Sequence, residues 1–216
     1  EWDRIAKIDG PKSLASALAR LELITNMPVV IGASVGTDLE DPTRYSVVVA
    51  DGDLPLPALE HYLAPELAPV REAYLKVIAD SFALAGVPAA EAKVRAAKVL
   101  EMETRIAGKK LTPVQKRDVR AAVTRMPYTE LKAALPHTDL DTLFTALGLP
   151  TSGDVLAADI RAIRERDAML GEYPLEDTKA YLQWEALRLT SPYLTPKFID
   201  VQADLTRALT GQTDVP

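Results

Sequence analysis

The sequence predicts a mainly α-helical protein, built from many helices and a small two-stranded β ribbon. Apolar residues recur at steps of three and four through most of the chain, which is the spacing of one helix face. Gly and Pro separate these stretches, as expected at helix ends. Only the runs VVIGASV and YSVVVA combine β-branched residues with the length of strands. We therefore expect residues 1–216 to form a single helical domain, with a β ribbon insertion at residues 28–52.

The first predicted helix follows the turn Asp9-Gly10-Pro11 and ends before Pro28. Its apolar face holds Leu14, Leu18, Leu21 and Ile24. In the ribbon that follows, Gly32 and Gly36 fit no phosphate-binding pattern, so backbone crowding or bulges explain them better. The loop DLEDPTRY between the strands is acidic, but it lacks the Gly that an EF-hand needs at its sixth position. We interpret it as a solvated loop.

The remaining helices are predicted from their apolar stripes and their breaks. A short helix, ALEHYL, lies before Pro65, and the next has a stripe from Leu67 to Phe82 and ends at Gly86. Thr112-Pro113 predicts an N-cap and a first helical residue, starting a helix that continues through Val119. Short helices are expected at 128–135 and 139–147. Three stripes define the last third: Leu156, Ile160 and Ile163; Leu175, Thr178, Leu182 and Leu189; Phe198, Gln202, Leu205 and Leu209.

The predicted helix around which the chain is organised contains one charged residue on its apolar face. The face is formed by Ala92, Ala96, Val99, Glu103 and Ile106. A buried carboxylate is costly unless an opposite charge and hydrogen bonds compensate it, so we expect Arg117 or Arg71 to pair with Glu103. Glu103 could be a general base or a metal ligand, or it could be a structural anchor with Arg117 and Arg71. Because no His lies nearby in sequence and the neighbouring acid, Glu101, falls outside the apolar face, we favour the anchor.

Composition and charge exclude several classes of protein. Hydrophobic residues make up 48% of the 216 residues and charged residues 26%, which is ordinary for a globular protein. The net charge of -6 argues against a nucleic-acid-binding surface. The absence of cysteine removes disulfides, thiol catalysis and cysteine-ligated zinc. Two groups of basic residues are interpreted as solvated helix faces: Lys109, Lys110, Lys116, Arg117 and Arg120, and then Arg161, Arg164 and Arg166.

No zinc-binding motif for hydrolysis is present. The chain contains no HExxH, and its GxSxG match, GASVG at 32–36, lies within a predicted strand rather than at the strand-to-helix turn that a nucleophilic serine needs. Its two histidines, His61 and His137, stand apart in sequence and lack zinc-ligand spacing, so we assign neither of them a ligand role. Tyr181 and Trp184 lie one turn apart and are interpreted as core residues rather than a ligand platform. We therefore predict no catalytic, cofactor-binding or metal-binding residue in this chain.

Several segments, taken together, resemble the N-terminal helical lobe of the M13 zinc metallopeptidases, the family of neprilysin and the endothelin-converting enzymes. They follow the family's order over nearly the whole chain. They are DLEDPTRY at 38–45, LPLP at 54–57 with Tyr62-Leu63, REAY at 71–74, VLEMETRIA at 99–107, Arg117-Asp118, KAYL at 179–182 with Trp184, PYL at 192–194 and LTG at 209–211.

The resemblance implies a function for a chain that shows no reaction centre. In M13 enzymes the zinc motifs lie in a C-terminal lobe, and the helical lobe resembles a lid over a peptide-binding chamber. We therefore expect zinc in an absent C-terminal lobe, with that lobe and peptide substrates as partners. The resemblance also implies an extracellular, periplasmic or cell-envelope location. The start at Glu1 without Met and the linker-like polar run at 211–216 lead us to expect a piece of a longer protein.

Two other functions stay open at this level. The chain could be a stand-alone helical interaction module that has kept the lid fold and lost the peptidase. It could also be an enzyme in its own right that uses Glu103 with Arg117, which we rank last because catalysis needs a constellation of groups.

Overall fold

The computed structural model describes residues 1–211. In chain order the helices are α1 (Trp2–Ala6), α2 (Pro11–Thr25), α3 (Leu59–Leu63), α4 (Ala68–Leu84), α5 (Ala89–Ala107), α6 (Pro113–Lys116), α7 (Val119–Ala122), α8 (Tyr128–Ala134), α9 (Leu140–Ala146), α10 (Ile160–Glu172), α11 (Leu175–Thr190) and α12 (Pro196–Thr210). Short 3-10 helices lie at Pro65–Leu67 and Ser191–Tyr193. The strands are β1 (Ile31–Thr37), β2 (Tyr45–Asp51), β3 (Val123–Pro127) and β4 (Asp154–Ala158). The prediction of a mainly helical fold is confirmed, and residues 212–216 of the predicted linker lie outside the described residues.

The chain divides into two compact units. The first comprises Glu1–Asp53 and Lys109–Leu175, and the second comprises Leu54–Gly108 and the chain from Glu176 onward. The prediction that residues 1–216 form a single helical domain, with an insertion at 28–52, stays a prediction.

A mixed four-stranded sheet in the order β1-β2-β4-β3 is the centre of the first unit. β1 and β2 form the predicted antiparallel ribbon, with Ile31 opposite Asp51 and Thr37 opposite Tyr45. β4 adds to β2 in parallel, with Val48 opposite Leu156, and β3 pairs with β4 in antiparallel orientation. Helix α10 contacts β1 and β2, whereas α2 contacts β1 and α9. Among the described residues, β3 and β4 are the strands that sequence reasoning missed.

Leu156 shows why β4 was missed. It was predicted to share a helix with Ile160 and Ile163, but it lies in a strand whose residues Val155, Leu156 and Ala157 are all buried. A short run that is apolar on both faces cannot be told from a helix segment by its periodicity. Asp159, with φ of 50°, separates this strand from α10 and accepts a hydrogen bond from the backbone N–H of Ala162 as its N-cap.

The Thr112 N-cap is confirmed, because its side chain accepts a hydrogen bond from the backbone N–H of Gln115. The helix that it starts, α6, ends at Lys116 rather than continuing through Val119. Asp118 then caps α7 by accepting from the backbone N–H of Ala121. The predicted helix is therefore two short helices with a second cap between them.

The second unit is a helical assembly in which α4 packs against α5 and α12, and α3 packs against α4 and α5. Its centre is aromatic. Tyr74 and Trp184 contact edge to face with ring centroids 5.9 Å apart, and both side chains are fully buried. Tyr181 is buried as well, so the prediction that Tyr181 and Trp184 are core residues is confirmed.

Candidate functional site

Glu103 lies at the buried centre of the second unit and has no solvent-exposed surface. Tyr74 Oη donates to its two carboxylate oxygens at 2.8 and 2.9 Å. Tyr62 Oη and Trp184 Nε1 each donate to it at 3.2 Å. The donors come from α3, α4 and α11, while Glu103 itself is on α5. One carboxylate thus connects four helices of this unit through hydrogen bonds.

The expected arginine partner of Glu103 is replaced by these neutral donors, which corrects the prediction. Arg71 donates from Nη1 to the backbone carbonyl oxygens of Ala64 at 2.7 Å and His61 at 3.3 Å, and so supports the turn after α3. Arg117 is an exposed residue of the first unit. Phenol and indole groups bring hydrogen bonds without the desolvation cost of a second buried charge, so no cation needs to contact the carboxylate directly, although the charge of Arg188 acts to lower its pKa.

A second buried carboxylate shapes the electrostatics of this cluster. Glu185, on α11, is 1% exposed and accepts a hydrogen bond from Arg188 Nη2 at 2.6 Å. Burial, followed by the charge of Glu185, raises the pKa of Glu103 to about 8. Burial and the charge of Glu103 in turn raise the pKa of Tyr62 and of Tyr74, so both phenols stay protonated donors. The protonated form of Glu103 is therefore favoured near neutral pH.

This geometry limits what Glu103 can do chemically. A general base must lie within hydrogen-bond reach of a bound substrate, and Glu103 is enclosed by its own unit. Across residues 1–211, no group of three or more His, Cys, Asp and Glu side chains comes together in a way that could hold a metal ion. The arrangement favours the anchor role for Glu103 over the catalytic one.

The first unit contains a second buried charged cluster, centred on Asp51. Its carboxylate accepts a hydrogen bond from Arg166 Nε at 3.1 Å and also pairs with Lys110 Nζ. Arg166 is 1% exposed and donates to the backbone carbonyl oxygens of Gly52 and Val29 as well. Burial lowers the pKa of Lys110, although the charge of Asp51 opposes this effect. The cluster ties α10 to the end of β2.

Lys110 and Arg166 were predicted to lie on solvated helix faces, and this prediction is wrong for both side chains. The Lys110 side chain is 13% exposed and that of Arg166 is fully buried. Arg166 follows Ile163 by three residues, which places it on the buried face of α10. The same periodicity that located Glu103 could have located Arg166.

Two adjoining clefts in the first unit share Asp159. One has a volume of about 480 Å³ and is lined by polar side chains that include Gln115, Asp118 and Arg161. The other, of about 250 Å³, is lined by Lys110 and Asp51 among others. Both carboxylate oxygens of Asp159 accept hydrogen bonds from the protein backbone. Oδ2 accepts from the N–H of Leu111 at 2.6 Å, and Oδ1 caps α10. The clefts therefore have structural carboxylates in their walls.

The acidic loop between β1 and β2 is held by an ion pair. Asp38 is buried and accepts two hydrogen bonds from Arg125 Nη2 at 2.8 Å, and it also accepts one from Ser46 Oγ. These hydrogen bonds, with Arg125 first, hold the pKa of Asp38 well below its usual range. The prediction of a solvated loop is wrong for Asp38, although Glu40 is exposed.

Gly32 confirms the expectation of backbone crowding. A Cβ at this position would collide with the carboxylate of Glu22 and with Pro28. Glu22 is buried and accepts a hydrogen bond from the backbone N–H of Ala33, while burial raises its pKa. The glycine thus makes room for a carboxylate against the strand.

Among residues 1–211, no helix has both the length and the apolar character that crossing a bilayer requires.

The described residues define a mainly helical class of protein with a small mixed sheet. Its buried charged clusters, around Glu103 and Asp51, stabilise its own fold. Comparison with known families gives the identity. The model of peptidase family M13 matches residues 2–216. The chain belongs to this family and is its N-terminal domain, which confirms the resemblance seen in the sequence.

Solved structures show the same fold. The zinc metalloprotease Zmp1 of Mycobacterium tuberculosis in its open state aligns with a TM-score of 0.90 at 24% identity, over 100% of this chain and 34% of that one. Zmp1 in complex with an inhibitor gives the same TM-score and identity, over 33% of its chain. PepO from Lactobacillus rhamnosis HN001 aligns with a TM-score of 0.79 at 17% identity, over 99% of this chain and 35% of that one. The chain thus spans about a third of the length of these structures.

Proposed function

We propose that this chain is the non-catalytic lid lobe of an M13 zinc metalloendopeptidase. In this role it caps a peptide-binding chamber and restricts the size of the peptides that enter. The catalytic zinc is held by a separate C-terminal lobe, which is the main partner of this chain, and peptide substrates lie between the two lobes. One observation carries the proposal: the chain matches the family over 2–216, yet it covers only 34% of the open-state Zmp1 chain.

The chemistry of the described residues supports a lid role for this chain, with zinc bound by a separate lobe. No group of three or more metal-binding side chains forms within residues 1–211. Glu103, the buried acid that sequence reasoning singled out, is enclosed by hydrogen bonds from its own unit. A hydrolytic metal site needs protein ligands and an open coordination position, and these would be supplied outside this chain. Following the resemblance, we place the parent protein outside the cytoplasm or in the cell envelope.

A comparison of this chain with the complete gene product that contains it tests the proposal. Zinc content is measured by atomic absorption after dialysis, and hydrolysis is measured with a short internally quenched peptide. We expect the complete product to hold stoichiometric zinc and to cleave the peptide, whereas the 216-residue chain does neither. Stoichiometric zinc with hydrolysis in the chain alone would contradict the lid assignment. A complete product without zinc would instead favour a stand-alone interaction module.

A further inference from the structure

Two buried polar atoms of one ion pair in the second unit have no hydrogen-bond partner within the described part of the chain. They are Oε1 of Glu185 and Nε of Arg188. One bond joins the two side chains, from Arg188 Nη2 to Glu185 Oε2 at 2.6 Å. Buried polar groups in folded proteins are nearly always hydrogen-bonded, so an orphaned donor and an orphaned acceptor in the same pair require an explanation. We call Glu185 Oε1 and Arg188 Nε the open fork.

Covalent geometry keeps the two atoms of the open fork close to each other. Nε and Nη2 are bonded to the same guanidinium carbon of Arg188, and Oε1 and Oε2 are bonded to the same carboxylate carbon of Glu185. In the common bidentate arrangement, an arginine and a carboxylate form two parallel hydrogen bonds. Here only the bond between Nη2 and Oε2 forms, and the second donor and acceptor lie beside it without meeting. A molecule that bridges them must therefore be small.

The charges of the open fork determine the kind of molecule that can bind it. The N–H at Nε is a donor and shares the positive charge of the guanidinium group, whereas Oε1 is an acceptor and shares the negative charge of the carboxylate. Glu185 would repel an anion at this position, and Arg188 would repel a cation. A neutral molecule that both accepts and donates a hydrogen bond suits the two atoms.

Burial limits the size of this molecule. The Glu185 side chain is 1% exposed and that of Arg188 is 19% exposed, and both atoms of the open fork are buried. A peptide or a larger ligand could reach Oε1 only if the helices of the second unit separated. Water molecules are common inside globular proteins, where they bridge polar groups that the protein leaves unpaired. Water therefore meets the requirements of size, charge and hydrogen bonding together.

We propose that the open fork binds one ordered internal water molecule, which accepts a hydrogen bond from Arg188 Nε and donates one to Glu185 Oε1. The water supplies indirectly the second connection that a bidentate ion pair would make directly. It also belongs to the surroundings of Glu103, because burial and then the charge of Glu185 raise the pKa of that residue. The site lies within the second unit, so it goes beyond the lid function and does not depend on it.

A crystal structure of the 216-residue chain, at a resolution that shows ordered water, tests the proposal directly. We expect one density peak within hydrogen-bond distance of both Arg188 Nε and Glu185 Oε1, at the same place in every copy of the chain. Crystals soaked in rubidium bromide provide the control for ions. They should show no anomalous peak at the open fork, because neither ion suits both of its charges.

Magnetic relaxation dispersion of the water oxygen nucleus tests the same site in solution, because it counts long-lived internal waters. The double variant Glu185→Leu with Arg188→Met replaces both polar groups by apolar side chains and should hold one such water fewer than the original chain. The matched control is Asp204→Leu with Arg207→Met. It removes a more exposed pair that has the same i, i+3 spacing and the same 2.6 Å distance, and it should keep the full count.

Three results would overturn the proposal. The first is a crystal structure without a water that contacts both atoms, for example because Arg188 Nε donates directly to Glu185 Oε1. The second is an anomalous peak that identifies an ion in this position. The third is an unchanged count of long-lived waters in a folded double variant. If the double variant does not fold, the crystal structure of the original chain decides by itself.

Discussion

Tyr74 donates its single hydroxyl to both oxygens of Glu103, at 2.8 and 2.9 Å, in the fully buried centre of the second unit. This contact places a neutral donor where a cation was expected. Hydrogen bonds from neutral donors, rather than a direct ion pair, therefore compensate the burial of the Glu103 carboxyl group.

Glu103→Ala should destabilise the second unit strongly. It leaves the donors of Tyr62, Tyr74 and Trp184 unsatisfied in a buried space, and we expect a loss of about 3 to 5 kcal/mol in the free energy of unfolding. Urea unfolding followed by tryptophan fluorescence measures it. Glu101→Ala, on the exposed face of the same helix, is the control and should change stability little. Equal effects of the two substitutions would contradict the anchor role.

The stability of the second unit should fall as pH rises. Because burial raises the pKa of Glu103 from 4.5 to about 8, the folded state binds a proton that the unfolded state releases. The contribution is fully present below pH 4.5 and is lost as pH rises through the folded pKa of about 8. Midpoints of urea unfolding, measured at several pH values between 4.5 and about 8, give the slope of stability against pH. Glu103→Gln should flatten this slope relative to the original chain, and an unchanged slope would show that Glu103 is ionised throughout.

Arg166→Ala should destabilise the first unit by about 3 kcal/mol, because it removes one of the two cations that pair with Asp51 and a buried donor to two backbone carbonyls. Thermal unfolding measures the change. Arg164→Ala, at an exposed position of the same helix, should have an effect near zero. If both variants unfold at the same temperature, Arg166 does not hold α10 to β2.

Asp38→Asn should loosen the loop between β1 and β2. The hydrogen bonds from Arg125 and Ser46 hold the pKa of Asp38 below its usual range, so its contribution is present above the unfolded pKa near 3.8 and is lost as pH falls through the lower folded value. Amide exchange of the loop and of Ser46 should accelerate in the variant at neutral pH. Glu40→Gln removes only the exposed carboxylate that also pairs with Arg125, at 3.3 Å, and should change exchange much less.

The apolar stripe of α5 was enough to predict that Glu103 is buried, but not which groups bind it. Its partners lie 29, 41 and 81 residues away in sequence, on other helices. General rules for buried charges favour a cation as the partner of a buried carboxylate, which led to the prediction of Arg71 and Arg117. Neutral donors such as Tyr and Trp cannot be recognised from the distribution of charged residues in the sequence. Tyr181 and Trp184 were recognised as core residues, yet only the structure shows that Trp184 also donates a hydrogen bond to Glu103.

The first unit shows the limits of periodicity. β1 and β2 were predicted because their β-branched runs flank a polar loop. β4 is buried on both faces, so its apolar run cannot be distinguished from a helix segment by periodicity. Arg166 and Lys110 were assigned to solvent because charged residues in clusters are mostly exposed. Their burial depends on Asp51, which is 115 residues from Arg166 and 59 from Lys110. Such pairings arise from tertiary contacts that no local pattern encodes.

We propose that this chain limits which peptides reach a zinc ion held elsewhere. The most direct test is the kcat/KM of the complete gene product for a series of peptides that share one cleavage sequence and grow in length up to an unfolded protein. We expect efficient cleavage of short peptides and a steep fall in kcat/KM once the peptide exceeds what an enclosed chamber can hold. Values of kcat/KM that stay constant from the short peptides to the unfolded protein would contradict it.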